Sequence, residues 1–159
     1  ASFTPETARS EAQRQRLAGS DAAIAALRAA DVVLITAPIY NFAVPAALRA
    51  WIDLVCRAGV TFRYAPDGPQ GLLEDRPVYL AMASGGVAFG SEADFASTYL
   101  RHVLGFVGIR DVRLLGAQGV ARDADAARVA ALAELAHWLP NDGMLGQHTG
   151  GGHAGLPAR

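Results

Sequence analysis

Three short apolar runs constrain this chain more than anything else in it. They are "VVLITA" (32–37), "VYLAMA" (78–83) and "VRLLGAQ" (112–118), rich in valine and leucine and bounded by aspartate, proline, serine or glycine residues. Runs of this length without polar alternation suit strands buried on both faces of a parallel sheet. The stretches between them have helical periodicity. Leu48, Trp51, Ile52 and Val55 fall at i, i+3, i+4 and i+7, with Arg49, Asp53 and Arg57 off the stripe at ion-pair spacing. Pro45 suits the first turn of that helix, and Gly59 its C-cap. Ser91-Glu92-Ala93-Asp94 reads as a capping box with Asp in place of Glu. It opens a helix with Ala96, Leu100, Val103 and Leu104 on one side and Phe95, Tyr99 and His102 on the adjacent one. Asp123 or Asp125 caps a last helix, with Val129, Leu132, Ala133 and Ala136 inward and Pro140 at its end. Upstream of the first run, Thr4-Pro5-Glu6 reads as a helix start. That helix is expected to break or tighten near Gly19-Ser20, where Ser20 or Asp21 can cap a second stretch.

Alternating strands and helices make an α/β fold, a parallel sheet with right-handed crossovers and helices on both faces. The segment "VTFRYAPDGPQGLLEDRP" is a long connection with turn chemistry at Pro66-Asp67-Gly68-Pro69. Residues 1–140 read as one domain. Residues 141–159 are glycine-rich and aperiodic, and are expected to be a disordered tail.

Composition narrows the function. A net charge of −1 gives no electrostatic footing for nucleic acid or a membrane surface. No apolar run approaches the roughly 20 residues of a spanning helix. The opening residues are polar, with no signal-peptide core, so a cytoplasmic protein is expected. The single cysteine, Cys56, rules out an internal disulfide framework and reads as a buried helical thiol. His137, His148 and His153 have no specific ligand spacing, so no metal site is expected. No triad or paired-carboxylate signature is present, so no catalytic side chain is assigned.

In parallel sheets, ligands bind beyond the carboxyl ends of the strands. Two of those ends are unusual. "PIYNF" (Pro38, Ile39, Tyr40, Asn41, Phe42) puts aromatic and amide surface where a polar turn belongs. "SGG" (Ser84, Gly85, Gly86) permits close backbone approach. Taken singly, the first also suits a turn with its aromatics folded onto the core, and the second a plain turn. Together they locate a ligand.

At these loops the sequence resembles the FMN-dependent NAD(P)H azoreductases and quinone reductases. The resemblance runs through "APIYNFAVPAALRAWIDLVCRAGVTFRYAPDGPQGLL", then "SGG" and "GSEADFASTYLRHVLGFVGI", over roughly residues 4–120. It implies a flavodoxin-like, three-layer fold and a homodimer. It also implies ping-pong hydride transfer from NADH or NADPH through FMN to a quinone or azo compound. Matched to the family, Pro38, Ile39, Tyr40, Asn41 and Phe42 face the isoalloxazine ring, and Ser84, Gly85 and Gly86 form the second flavin loop. Tyr64 and Phe106 match substrate-pocket aromatics, partly from the second subunit. On their own residues, both suit core packing as well. Phe62 reads as packing, Arg63 and His102 as surface or dimer-facing, and Phe89 as either a roof over the flavin or a loop anchor.

The chain departs from the family in having Ala83-Ser84-Gly85-Gly86 where "SRGG" is usual. It also begins downstream of the family's first strand and serine-rich phosphate loop, so the sheet is expected to be incomplete and the edge of "VVLITA" open. Two other readings follow. One is a truncated, non-catalytic remnant or assembly module that binds FMN weakly or not at all. The other is an FAD-using quinone reductase, which the "TFRYAPDGPQGLL" segment disfavours.

Overall fold

A computed structural model describes residues 4–138. A short 3-10 turn, Glu6–Ala8, leads into α1 (Glu11–Ala29) and β1 (Val33–Pro38). Next come α2 (Ala46–Val55), β2 (Phe62–Ala65), β3 (Gly68–Gly71) and β4 (Val78–Ser84), followed by α3 (Phe95–Val107), β5 (Val112–Gln118) and α4 (Ala124–Trp138). The three apolar runs are the strands of one parallel sheet in the order β1-β4-β5. The first strand starts one residue later than expected and takes in Pro38, and the second extends to Ser84.

Register places Val33 beside Val78 and Val78 beside Val112, and likewise Ile35 beside Leu80 and Leu80 beside Leu114. Side chains alternate faces along a strand, so these residues share one face. That face joins Ile24, Leu27, Ile52, Val55, Leu100 and Leu104 in a single core, contributed by α1, α2 and α3. The opposite face lies under α4, where Ala131 borders the same cavity as Ala81 and Leu115. The Trp138 ring also sits there, 6.1 Å from that of Tyr79. Helices therefore cover both faces, as the alternation of elements requires. Among the described residues no strand pairs with the outer edge of β1, and Leu34 on that strand is 65% exposed.

Several local expectations are corrected. Thr4-Pro5-Glu6 starts only the short 3-10 turn, and the α-helix that follows neither breaks nor tightens at Gly19. It begins after Ser10, whose side chain and that of Gln13 form a reciprocal capping box. Ser20 lies inside α1 and works at long range. Its Oγ donates to the Leu54 carbonyl at 2.6 Å and accepts from Arg57 Nη1 at 3.0 Å. Asp21 pairs with the same Arg57 at 2.6 Å, so both supposed caps are tertiary contacts. Arg57 itself is buried instead of lying on the ion-pair face of α2, where only Arg49 and Asp53 meet, at 3.3 Å.

In α4 the inward stripe is Ala127, Ala131, Leu135 and Trp138, while Val129 and Leu132 are 60% and 53% exposed. Alanines of the sheet border the start of that stripe, which takes two small residues and then two large ones. Asp123 caps α4, accepting from the Ala126 N–H at 2.9 Å; Pro140 and the glycine-rich tail lie outside the described residues. The long connection is also more regular than expected. β2 and β3 form an antiparallel hairpin, with Phe62 opposite Gly71 and Ala65 opposite Gly68. Buried Thr61 ties it to α2, donating to the Val55 carbonyl at 2.6 Å.

Candidate functional site

β1 and β4 are neighbours, so the segments following them leave the sheet side by side at its carboxyl edge. The first leaves under tight control. Ile39 N–H donates to the Ala83 carbonyl at 2.7 Å, continuing the pairing past the end of the strand. The chain then reverses within four residues. Tyr40 and Ala43 exchange two N–H···O bonds, each 3.0 Å. The residues between them, Asn41 and Phe42, have φ of 48° and 69°. Positive φ at both central positions is the signature of a type I′ turn. Asparagine tolerates that conformation, but phenylalanine rarely adopts it, and the strain is of order 1–3 kcal/mol. The strain does not serve burial: Tyr40 and Phe42 are 63% and 54% exposed. "PIYNF" is thus a rigid turn that holds two aromatic side chains outward.

The second loop is held from the β5 side. The Ser84 carbonyl accepts from Val120 N–H at 3.0 Å, and the Gly85 carbonyl from Ala121 N–H at 3.2 Å. Ser84 is buried, and its Oγ has no hydrogen-bond partner among the described residues. A buried hydroxyl ordinarily has a partner, so this one is unspent hydrogen-bonding capacity beside the loop. A Cβ added at Gly86 would meet nothing within 4 Å, so packing within the chain does not demand glycine there. It leaves backbone open to approach from outside.

Phe89 is an anchor. Its N–H donates to Gln118 Oε1 at 2.7 Å, and its ring occupies the space that a side chain at Gly116 would need. Gln118 was not singled out in the sequence, since a glutamine at a strand end carries no signal by itself. Asp94, not Ser91, caps α3. It accepts from Ala96 N at 3.1 Å, Ser97 N at 2.9 Å and Gly90 N at 2.8 Å, and from the Ser97 hydroxyl. Burial pushes the Asp94 carboxyl up, but those hydrogen bonds outweigh it and hold it below its ordinary value.

Tyr64 and Phe106 lie elsewhere. The Phe62 ring packs on Phe106 at 4.5 Å and meets Tyr64 edge-on at 5.6 Å, with Tyr64 itself 76% exposed. α3 separates this cluster from the two loops. Its first residue, Phe95, borders a cavity of about 570 Å³ with Ala43 and Val44. Phe106 comes eleven residues later, roughly 16 Å along the axis. Within one chain, then, Pro38–Phe42 and Ser84–Gly86 come together, and Tyr64 with Phe106 form a second group at the other end of the helix. Arg63 is exposed and bonds Gln70 at 3.0 Å. His102 is exposed and shares the 570 Å³ cavity with Tyr99, over which the Arg49 guanidinium sits at 5.3 Å.

Cys56 is half-buried. Burial raises its thiol, the Asp53 carboxylate adds to this, and Arg49 opposes it. His137 Nδ1 lies 2.8 Å from the Ala133 carbonyl, whereas His148 and His153 fall outside the described residues. Among the described residues no group of three or more His, Cys, Asp or Glu side chains could hold a metal. No described helix is long and apolar enough to cross a membrane.

A family model described as "Flavodoxin-like fold" matches residues 1–139. The chain belongs to that family. A flavodoxin-like chain with paired strand-end loops has well-defined relatives. It is 50% identical over 135 residues to an "FMN-dependent NADH:quinone oxidoreductase 1" of Jannaschia sp. (strain CCS1), covering 85% of this chain and 71% of that protein. It is 51% identical over 123 residues to the protein of that name in Hahella chejuensis, covering 77% of this chain and 60% of that protein. The structure resembles an FMN-dependent NADH-azoreductase from Bacillus anthracis solved in complex with FMN. The TM-score is 0.73 at 26% identity, covering 81% of this chain and 64% of that one. The chain thus spans about three fifths to seven tenths of the length of these proteins.

Proposed function

We propose that this protein is an FMN-dependent NADH:quinone oxidoreductase that also reduces azo compounds. The observation that carries the reading is the strained turn at Asn41 and Phe42, which holds exposed aromatic surface beside an open Ser84-Gly85-Gly86 backbone. Its support is the 50% identity to a relative named for that activity. These residues fit a flat heteroaromatic ring. Tyr40 and Phe42 supply apolar wall, and the Asn41 amide supplies both a donor and an acceptor for a ring edge. Gly85 and Gly86 admit close approach, and the unpartnered Ser84 hydroxyl adjoins them. When bound, FMN supplies the hydride-accepting and electron-donating chemistry that no side chain here can perform. The protein's part is to orient the ring, exclude water from one face and leave the other open to flat acceptors.

The reading includes a homodimer and a cytoplasmic location. The dimer is supported by the separation of Tyr64 and Phe106 from the two loops, since a second copy can bring them to a site that one chain cannot complete. The location is supported by the relatives' use of NADH, a cytoplasmic reductant. The test is a titration of the purified chain with FMN, followed by flavin fluorescence, and then addition of NADH and a benzoquinone. Saturable quenching and NADH-dependent quinone reduction are expected. Unchanged flavin fluorescence up to tens of micromolar protein would refute the reading.

A further inference from the structure

A polar cleft of about 610 Å³ lies between the stretch that precedes α1, α1 itself and the turn after α2. It is at the opposite edge of the sheet from the two loops. α2 begins just after the carboxyl end of β1 and runs back along the sheet, and residues 57–60, which follow it, line the cleft. Three guanidinium groups from three segments converge there, those of Arg9, Arg28 and Arg57. Arg57 is only 7% exposed. Its Nη1 donates to Asp21 Oδ1 at 2.6 Å and to Ser20 Oγ at 3.0 Å. Its Nε is buried and has no partner among the described residues. A buried donor ordinarily has one. Both bonds come from Nη1, so the fork of Nε and Nη2, the edge that takes an oxyanion with two parallel bonds, is unspent among the described residues. Arg9 Nε donates to the Thr4 carbonyl at 3.0 Å, and Arg28 Nη2 to the Val60 carbonyl at 2.7 Å. These bonds hold both side chains at the cleft and leave most of their donors free. Neither forms an ion pair among the described residues. Two carboxylates also line the cleft. Asp21 is committed to Arg57, and Glu6 stands in the first turn of the 3-10 segment. Positive charge is therefore in excess, and no aromatic side chain is present to hold a ring.

We propose that this cleft binds a compact, multiply charged oxyanion of the phosphate class, held by Arg57, Arg9 and Arg28. Guanidinium groups take phosphate oxygens by charge-assisted, often bidentate hydrogen bonds. Burial of Arg57 strengthens such a bond, because little water screens it. Convergence of three cations favours an anion with more than one charge, since a single charge leaves the remaining guanidiniums repelling one another. The bound anion would tie the stretch before α1 to α1 and to the end of α2. The inference goes beyond the redox reading and does not depend on it, because the cleft and the flavin-facing loops use different residues at opposite edges of the sheet. The anion has two natural sources, a free phosphate or pyrophosphate or the phosphate of a small ester. The chemistry they share is a tetrahedral oxyanion without a ring.

The experiment is an NMR titration of the isotope-labelled full chain with pyrophosphate, at an ionic strength held constant with sodium chloride. Inorganic phosphate, glycerol 3-phosphate and nitrate are run as separate arms. Pyrophosphate is expected to shift the amides of Asp21, Arg28, Gly59 and Val60 saturably, with half-saturation at about 1 mM or below, and to leave residues 40–42 and 84–86 unmoved. Nitrate, flat and singly charged, is expected to bind about tenfold more weakly or worse. Arg9→Gln/Arg28→Gln removes two of the charges without touching the buried pair of Arg57 and Asp21, and is expected to weaken pyrophosphate about tenfold or more. The corresponding Lys pair is expected to restore part of the affinity. Glu6→Gln removes an opposing carboxylate and is expected to tighten binding about twofold, an effect that a purely structural role for these arginines would not produce. Arg57→Lys keeps a cation facing Asp21 but has no fork, and is expected to weaken pyrophosphate more than nitrate. Where that variant does not fold, the glutamine pair decides. Tighter binding of pyrophosphate than of glycerol 3-phosphate assigns the site to a free anion, and the reverse order assigns it to an ester. No saturable shift, equal binding of nitrate and pyrophosphate, full binding by the glutamine pair, or shifts confined to residues 40–42 and 84–86 would overturn the proposal.

Discussion

Asp94 is a buried carboxylate whose removal has a calculable effect on the element that carries Phe95 to the first cavity. It is 2% exposed and accepts from three backbone N–H groups and one hydroxyl. Asp94→Ala deletes every one of those acceptors. Loss of an N-cap costs about 1 kcal/mol. Stranding the buried Ser97 hydroxyl adds about 1–3 kcal/mol, whereas the N–H of exposed Gly90 passes to water. The expected loss is therefore about 2–4 kcal/mol, a large part of a typical domain's 5–15 kcal/mol. Asp94→Asn keeps one acceptor oxygen and is expected to lose about half as much. The pH dependence follows from the depressed native carboxyl. A group lowered on folding contributes its full stability above its unfolded value, about 3.9. That contribution disappears as pH falls through the lower native value. The gap between wild type and Asp94→Asn should therefore be constant from neutral pH down to about pH 5 and close below about pH 4. Urea midpoints at a series of pH values measure it. A loss under about 1 kcal/mol for Asp94→Ala, or a gap that persists unchanged at pH 3, would show that the carboxylate does not hold α3 in this way.

Phe42→Gly releases left-handed strain of about 1–3 kcal/mol against about 1 kcal/mol of glycine entropy. Its urea midpoint should be unchanged or higher while FMN affinity falls about tenfold or more, as read by flavin fluorescence. Phe42→Val, β-branched at positive φ, should lower the midpoint instead. Gly116→Ala pushes a methyl into the Phe89 ring and the Met82 carbonyl, and should cost about 1–3 kcal/mol in chemical denaturation. Cys56, raised by burial, should react with a disulfide reagent at neutral pH more slowly in the folded chain than in urea, since less of it is thiolate. Equal rates would show that the thiol is not shielded.

Much of the sheet is legible in the sequence. "VRLLGAQ" is β5 to the residue, because a run flanked by Asp111 and Gly119 has no room to slide. The stripe of α2 was equally clear, because one face of that helix is apolar and the other is not. α4 was misread, since nearly every position in it is alanine or apolar and its periodicity names no preferred face. The α1 break was misread for a different reason. Gly19 and Ser20 are weak helix formers, but the long-range bonds of Ser20 and Asp21 to Arg57 and Leu54 outweigh local propensity. The β2–β3 hairpin was missed, because its strands have only four residues each and one holds two glycines and a proline.

The sequence alone determined the α/β class, the parallel strands and the two strand-end loops. Those depend on local patterning, which a single chain displays along its length. Only the tertiary structure decided that "PIYNF" is a strained type I′ turn with its rings exposed. Only it separated Tyr64 and Phe106 from that turn by the length of α3. The sign of φ at Phe42 is set by the two hydrogen bonds between Tyr40 and Ala43, and the separation by the antiparallel run of a helix against its strands. The Tyr40–Ala43 pair is local, but the type of turn it closes is not set by residue spacing, and the separation depends on where α3 packs against the sheet.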